Sequence, residues 1–369
     1  MAPNPPQIAI GAANSAANSA NSAANASIDI RVDGRSLLKQ PAGLITALTV
    51  QDDLGLPGAF SFEVVATESS KSTWLDDEKP FALGGRVAID LGYGDKLATL
   101  IEGEITALEP SLAVHSAPTL TVRGYDIRHR LQRNTRTRSY QHVTDSEVVK
   151  QIGDAVGVSI EVQTSPVTHD YLFQANQSDF DFVQARADGI HFELVMVAGK
   201  LRFRPAASDA GAALSLKFGD DLQELFVSLN LALQPSKIEV RAWGLQGKAA
   251  LVGQAAAGAE KTRMGGKHSA AALADKAFGV ADGRFVAQPA ASQEEVDARA
   301  AAQFARAGLA LMSAQGRCWG RNDLHAGTVI EITDAGKRYS GLYYLHSVHH
   351  HYDPDRGYET RFQGRRNAL

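Results

Sequence analysis

The chain of 369 residues has one cysteine, Cys318, which excludes an internal disulfide and any multi-cysteine metal site. Long apolar runs are also missing, and nothing approaches the ~20 consecutive apolar residues that a membrane helix needs. No basic residue precedes Arg31 and no apolar core follows the start, so neither part of a signal peptide is present. Release by lysis or inside a particle is the expectation that fits. No G-x-S-x-G elbow occurs, and Cys318 has no nucleophile signature around it. Gly84-Gly85 and Gly92-Tyr93-Gly94 lack the following Lys-Ser/Thr of a phosphate loop and read as turns. Basic excess is absent as well: 37 Lys and Arg against 41 Asp and Glu give a net charge of −4. A dedicated nucleic-acid binder is normally basic.

What is present fits a globular protein of two to three domains, with 44% hydrophobic and 21% charged residues. Residues 1–27, built on AANSAANSANSAANA, cannot bury enough apolar surface to fold alone. Residues 28–130 read as a first β domain. Ile28, Ile30 and Val32 alternate before the Asp33-Gly34 turn; Phe60, Phe62 and Val64, then Val87, Ile89 and Leu91, then Leu120 and Val122 repeat the pattern. Residues 131–213 are mixed α/β. There Thr144 and Glu147 form a capping box, Val148, Ile152 and Ala155 face inward, and Gly157 stops the helix. Residues 214–369 are β again, with an Ala/Gly-rich insertion over 248–316 and little periodicity up to Ala291. Ser292 and Glu295 make a second capping box in it, before Val296, Ala300, Phe304 and Ala307. Asp334-Ala335-Gly336-Lys337 reads as a hairpin turn.

The most informative stretch is Tyr171–Pro205. Ser178 caps a short helix whose first turn holds Asp179 and Asp181, and Phe180, Val183 and Ala187 share its apolar face. From His191 the period becomes two. Phe192, Leu194 and Met196 lead to a Gly199-Lys200 turn, and Leu201 and Phe203 return. This stretch resembles the phage late control gene D family through Gln177-Ser178-Asp179-Phe180-Asp181-Phe182 and Gly199-Lys200-Leu201. Further anchors follow in family order: Arg123-Gly124-Tyr125-Asp126, Thr144-Asp145-Ser146-Glu147, Gly341-Leu342-Tyr343-Tyr344, His349 and Gly357-Tyr358-Glu359-Thr360. The family includes baseplate hubs of contractile phage tails and the hub part of type VI secretion spike proteins.

The resemblance implies an α+β, mainly β fold: two antiparallel barrel-like domains flank an α/β middle domain, with a helical insertion in the second barrel. It also implies a structural hub of a phage tail or contractile injection particle. Such a hub is a homotrimer that joins a six-fold tail tube, or a tube-initiator ring, to a three-fold spike. Other baseplate proteins surround it, and assembly takes place in the bacterial cytoplasm. Because this sequence stops near Arg366, the spike is expected as a separate polypeptide. A peptidoglycan hydrolase of a tail tip is the alternative.

The residues offer four chemistries to weigh. His346, His349, His350 and His351 invite a metal reading, but no carboxylate or cysteine ligands accompany them at zinc spacing, and strand-surface histidines fit better. Asp179 and Asp181 stand two apart on a helix and do not face each other, so with Glu193 they make a poor hydrolase pair. No catalytic, cofactor-binding or metal residue is therefore assigned. Arg123, Arg128, Arg130, Arg133, Arg136 and Arg138 form the strongest charge feature, with only Asp126 opposing them in that span. A nucleic-acid patch would want stacking aromatics, and only Tyr125 interleaves. Under the resemblance Arg128, Arg130, Arg133, Arg136 and Arg138, with Arg365 and Arg366, become candidates for docking a neighbouring ring.

Overall fold

The computed structural model describes residues 26–37, 44–66, 80–244, 247–281, 283–287 and 290–369. The low-complexity repeat lies outside the described residues, except that Ala26 and Ser27 open the first strand.

Alternating side chains make the first seven strands: β1 (Ala26–Val32), β2 (Arg35–Ser36), β3 (Leu44–Asp53), β4 (Ala59–Val65), β5 (Arg86–Tyr93), β6 (Lys96–Ser111) and β7 (Thr119–Asp126). Asp33 and Gly34 take left-handed φ angles of 48° and 78° to close the β1–β2 hairpin. The alternating positions all point into one core, where Ile30, Val50, Phe62, Ile89 and Val122 are buried. Gly124 of the Arg-Gly-Tyr-Asp motif has a packing reason. A Cβ there would lie 2.3 Å from the Phe60 ring and 2.1 Å from the Glu104 carbonyl oxygen.

A 3₁₀ turn at Ile127–Gln132 leads to β8 (Thr135–Thr144), α1 (Asp145–Val156), β9 (Ile160–Val162), β10 (Thr168–Ser178), α2 (Asp179–Gly189), β11 (Phe192–Val197) and β12 (Lys200–Pro205). The capping box on α1 is complete in both directions, and Gly157 ends it at φ 72°. Ser178 accepts from the Asp181 amide at the head of α2. β8 and β10 form a two-stranded ribbon, while β11, β12 and β9 form a small sheet. Their shared core holds Val148, Ile152, Phe180, Val183, Leu194 and Phe203.

Then come β13 (Leu214–Lys217), β14 (Leu222–Leu229), β15 (Lys237–Gly244), β16 (Ala249–Ala256), α3 (Ala270–Phe278), β17 (Arg284–Ala287) and α4 (Gln293–Leu309). The insertion is thus not simply helical. β16 and β17 flank β15 in a three-stranded sheet, and Val296, Ala300 and Phe304 of α4 pack on Ile238 and Val240. Alanine and glycine hid β16, because they carry too little apolar contrast to show a period of two, and β17 is only four residues long, too short for a period to show. Ser292 caps α4 as expected, but the Glu295 carboxylate reaches back to the Ala291 amide at 2.9 Å, one residue beyond the cap.

The chain ends with β18 (Met312–Trp319), β19 (Val329–Thr333), α5 (Gly336–Tyr339), β20 (Gly341–Asp353) and β21 (Gly357–Arg366). The link expected as a tight turn at 334–337 carries the short helix α5, although β19 and β20 still pair antiparallel. A separate core beneath these strands holds Leu216, Leu222, Ile330, Tyr343 and Phe362.

The fold is mainly antiparallel β. Among the described residues one thirteen-stranded sheet runs β14-β18-β21-β20-β3-β4-β7-β6-β5-β1-β2, with β13 and β19 attached through β20. The β3–β20 ladder, Leu48↔Tyr352 to Asp53↔Ser347, joins the first and last β regions.

Candidate protein-interface site

The arginine run leaves β7, follows the 3₁₀ turn and continues into β8. Its members do not share one patch. Arg128 is 1% exposed and belongs to the interior. Its side chain grips Asp126 at 2.7 Å and donates to the carbonyls of Asp53, at 3.0 Å, and Leu194, at 3.3 Å. Asp126 in turn accepts from the Gly58 amide at 2.7 Å. Arg128, expected among the interface residues, is instead tied to the first β region and to β11. A charge that deep is held because the Asp126 carboxylate lies against it and two carbonyls take part of its donors.

Arg130 pairs with Glu104, which also meets His129 at 2.8 Å. Burial pushes the Glu104 carboxyl up, but hydrogen bonds from Arg130 and His129 outweigh it and hold it below its usual value. Arg136 and Arg138 both converge on the buried Asp179, and Gln174 joins them. Arg133 is exposed between these groups. On β21, Arg365 is exposed, whereas Arg366 is 6% exposed, stacks over Tyr343 and donates to the Ser340 carbonyl at 2.7 Å. Much of the run's charge is therefore answered inside the chain by Glu104 and Asp179. Neither partner lies within the run, so local charge counting missed both.

A groove of about 830 Å³ opens between β5–β6 and β9–β12, and Arg31, Arg86, Glu102, Glu104, Arg130 and Lys200 line it. Both signs are represented, and Glu104 is held ionised, which unsuits it to give up a proton. A second recess of about 620 Å³ lies along β14, β18, β20 and β21, with Phe218, Phe226, Arg317 and Arg361 in its wall.

Two further charged clusters join regions of the chain. Asp145, at the head of α1 and 0% exposed, receives Arg186 from α2 and His169 from β10, the latter at 3.1 Å. Glu295 of α4 closes the cluster, 3.6 Å from His169 and paired with Arg299 at 2.6 Å. Burial pushes Asp145 up, yet the His169 hydrogen bond and the Arg186 charge outweigh it and keep the carboxyl below its usual range. An Asp–His pair also occurs in hydrolases, but this His169 is 3% exposed and neither of the two recesses reaches it. The second cluster is Glu193 of β11 with Arg204 of β12, 2.8 Å away, and the Tyr344 hydroxyl of β20; Arg204 also donates to Gly327 at 2.9 Å. Here burial wins and raises the Glu193 carboxyl.

The histidine run lies on β20. A bulge between Leu345 and Ser347 breaks the expected alternation, so Ser347 and Val348 are both buried while His346 is half-buried. His350 is buried, and its Nδ1 shares a hydrogen bond with the Tyr358 hydroxyl at 2.8 Å. Burial lowers His346 to about 4 and His350 to about 3, so both are neutral at pH 7. Among the described residues no three His, Cys, Asp or Glu side chains gather as a metal site.

The family described as Alg8 N-terminal domain matches residues 24–353. No curated protein matches the chain. Three solved structures are similar over most of it. The 43 kDa tail protein of prophage MuSo2 from Shewanella oneidensis is 15% identical, with a TM-score of 0.68 over 92% of this chain and 98% of that one. A tail protein from Neisseria meningitidis is 10% identical, with a TM-score of 0.67 over 92% and 96%. An Escherichia coli component of the type VI secretion system, itself described as similar to the T4 bacteriophage tail proteins gp27 and gp5, is 13% identical. Its TM-score is 0.60 over 92% of this chain and 77% of its own. The fold is one shared by phage tail proteins and a type VI secretion component.

Proposed function

The chain belongs to the family of the Alg8 N-terminal domain, and from its fold we propose that it is the structural hub of a contractile injection particle or phage tail. The observation that carries this reading is a fold likeness to tail proteins spanning 92% of the chain, beyond any single motif. In this reading three copies form a ring. One side meets the six-fold tail tube or its initiator, the other carries a three-fold spike, and other baseplate proteins pack around the rim. The two β regions, each with its own core, act as the two barrel-like modules that give three chains six similar contacts. The described domains would be 28–130, 131–213 and 214–369, with 248–316 inserted. The chain is assembled in the bacterial cytoplasm and leaves as part of the particle.

The role is symmetry adaptation and transmission of force, without bond-making chemistry. The carboxylates offered by the sequence support this: Asp179 is bound by Arg136 and Arg138, and Glu193 by Arg204 and Tyr344. Among the arginines, Arg133 and Arg365, which are exposed, with the half-buried Arg130, Arg136 and Arg138, remain the candidates for meeting a neighbour in this reading.

The test is stoichiometry. Particles pelleted from lysate of the producing cell should contain a few copies of this chain, in trimer proportion to a far more abundant tube protein. Finding the chain only in the soluble fraction overturns the hub.

A further inference from the structure

The long path of the thirteen-stranded sheet has an open outer edge at each end, apart from the short side edge of β13. At one end is β14, which pairs with β18 and with no other described strand. Its sequence, Leu-Gln-Glu-Leu-Phe-Val-Ser-Leu, has a single charge and neither proline nor lysine. Its bulge sits at the very start, between Leu222 and Glu224, and Phe226 is 66% exposed. Natural edge strands are usually blunted along their length, because unpaired amides and carbonyls invite another strand. At the other end β1 pairs with β5 on one side, and β2 covers its other side only at Arg31 and Val32. Among the described residues nothing pairs with the outer edge of Ala26–Ile30.

The order of strands sets how these edges can meet. The path from β14 to β1 holds ten strands, each antiparallel to the next. An even number makes β14 and β1 run in opposite directions. Rotation about an axis along the strands preserves each strand's direction, so β1 of a second copy laid beside β14 continues the alternation without a break. Charge agrees with this polarity. Antiparallel pairing sets the first residues of β14 against the last residues of β1. Asp220, Asp221 and Glu224, whose side chains are 57%, 45% and 69% exposed, then lie near Arg35, which is exposed in the β1–β2 hairpin. At the other end Ser228 and Leu229 meet Ala26 and Ser27, with no like charges opposed.

We propose that β14 of one copy pairs antiparallel with β1 of the next, so that the occupant of each open edge is a second copy of this chain. This rests on the trimeric hub reading and names the surface that makes the ring. The contact joins two different edges, so it is head-to-tail and closes only when the rotation returns to the first copy. Closure covers both ends of the long strand path and leaves the short β13, which pairs only with β19, as a remaining edge among the described strands.

Cysteine pairing in the full-length chain tests it. Ser27→Cys is combined in turn with Phe226→Cys and with Ser228→Cys, two positions on the same face of β14. Opposed strands bring Cα atoms within the ~5.5 Å a disulfide needs. Cys318 is buried with its thiol pushed up to about 12, so it stays out of the oxidation. The expected result is a ladder of covalent dimers and trimers from at least one double variant and monomer alone from each single variant. All replaced side chains lie outside the cores, and thermal midpoints near that of the parent show that the variants fold. A trimer by sedimentation with no covalent product from either double variant overturns the edge pairing and leaves the trimeric hub standing. A monomer at tens of micromolar overturns both.

Discussion

Asp145 and Glu193 are both buried carboxyls with an arginine in contact; burial pushes both up, yet they end on opposite sides of the ordinary value because only at Asp145 do the partners outweigh it. Asp145 has Arg186 and His169 against it, with Arg299 across the cluster, and it stays ionised against full burial. Glu193 has Arg204, which divides its donors with the Gly327 carbonyl, and a neutral tyrosine hydroxyl. One shared cation does not offset the lost hydration. The comparison separates two kinds of junction: the middle region is clamped to α4 by charge, and to β20 by a hydrogen-bonded group that gains by holding its proton.

Removing the cation should break that distinction most severely. Arg186→Met leaves Asp145 ionised in the interior and should cost about 3–5 kcal/mol in urea unfolding, the penalty of an uncompensated buried charge. A loss near that of a surface substitution would show the cluster to be solvated. Titration sharpens the contrast next. Because Asp145 is lowered in the folded state, its contribution is present above the ordinary carboxylate range near 4 and is lost as pH falls through its folded value. Glu193 is raised, so the folded state binds the extra proton and stability declines as pH climbs from near 4 through its folded value. Asp145→Asn should flatten the acid limb of the stability profile, and Glu193→Gln should flatten the opposite limb. Equal changes of one sign in both variants would remove the distinction. The smallest effect is expected from Thr144→Ala, which deletes the cap that sets Asp145 at the head of α1. A loss of about 1 kcal/mol is the usual size for a cap, read as a drop in thermal midpoint.

Much of the β framework was legible because the strands of the first region alternate cleanly, as at Phe60, Phe62 and Val64. The caps at Thr144 and Ser178 were legible because a cap is a local exchange between neighbours in sequence. What escaped was of two kinds. β16 is mostly alanine with a glycine and few larger residues, so its period of two is nearly silent, and β17 has only four residues in which to show one. The arginine run misled in a different way. Its counter-charges come from β6 and from the head of α2, as Arg130–Glu104 and Arg138–Asp179 show, and only the fold brings them close. Arg128 was the extreme case, since nothing in its neighbours announced that it would be the largest fully buried side chain among the described residues.

The ladder joining β3 to β20 makes one hydrogen-bonded fabric from distant strands, with Thr49 paired to His351, 302 residues away in the chain. Such a fabric is mechanically anisotropic. A pull along the strands loads every rung of a ladder in shear at the same moment, whereas a pull across them opens the rungs one after another, like a zip. A part that must survive a sudden axial stroke is therefore stiffest when its strands lie along the stroke, and weakest where a blow arrives from the side.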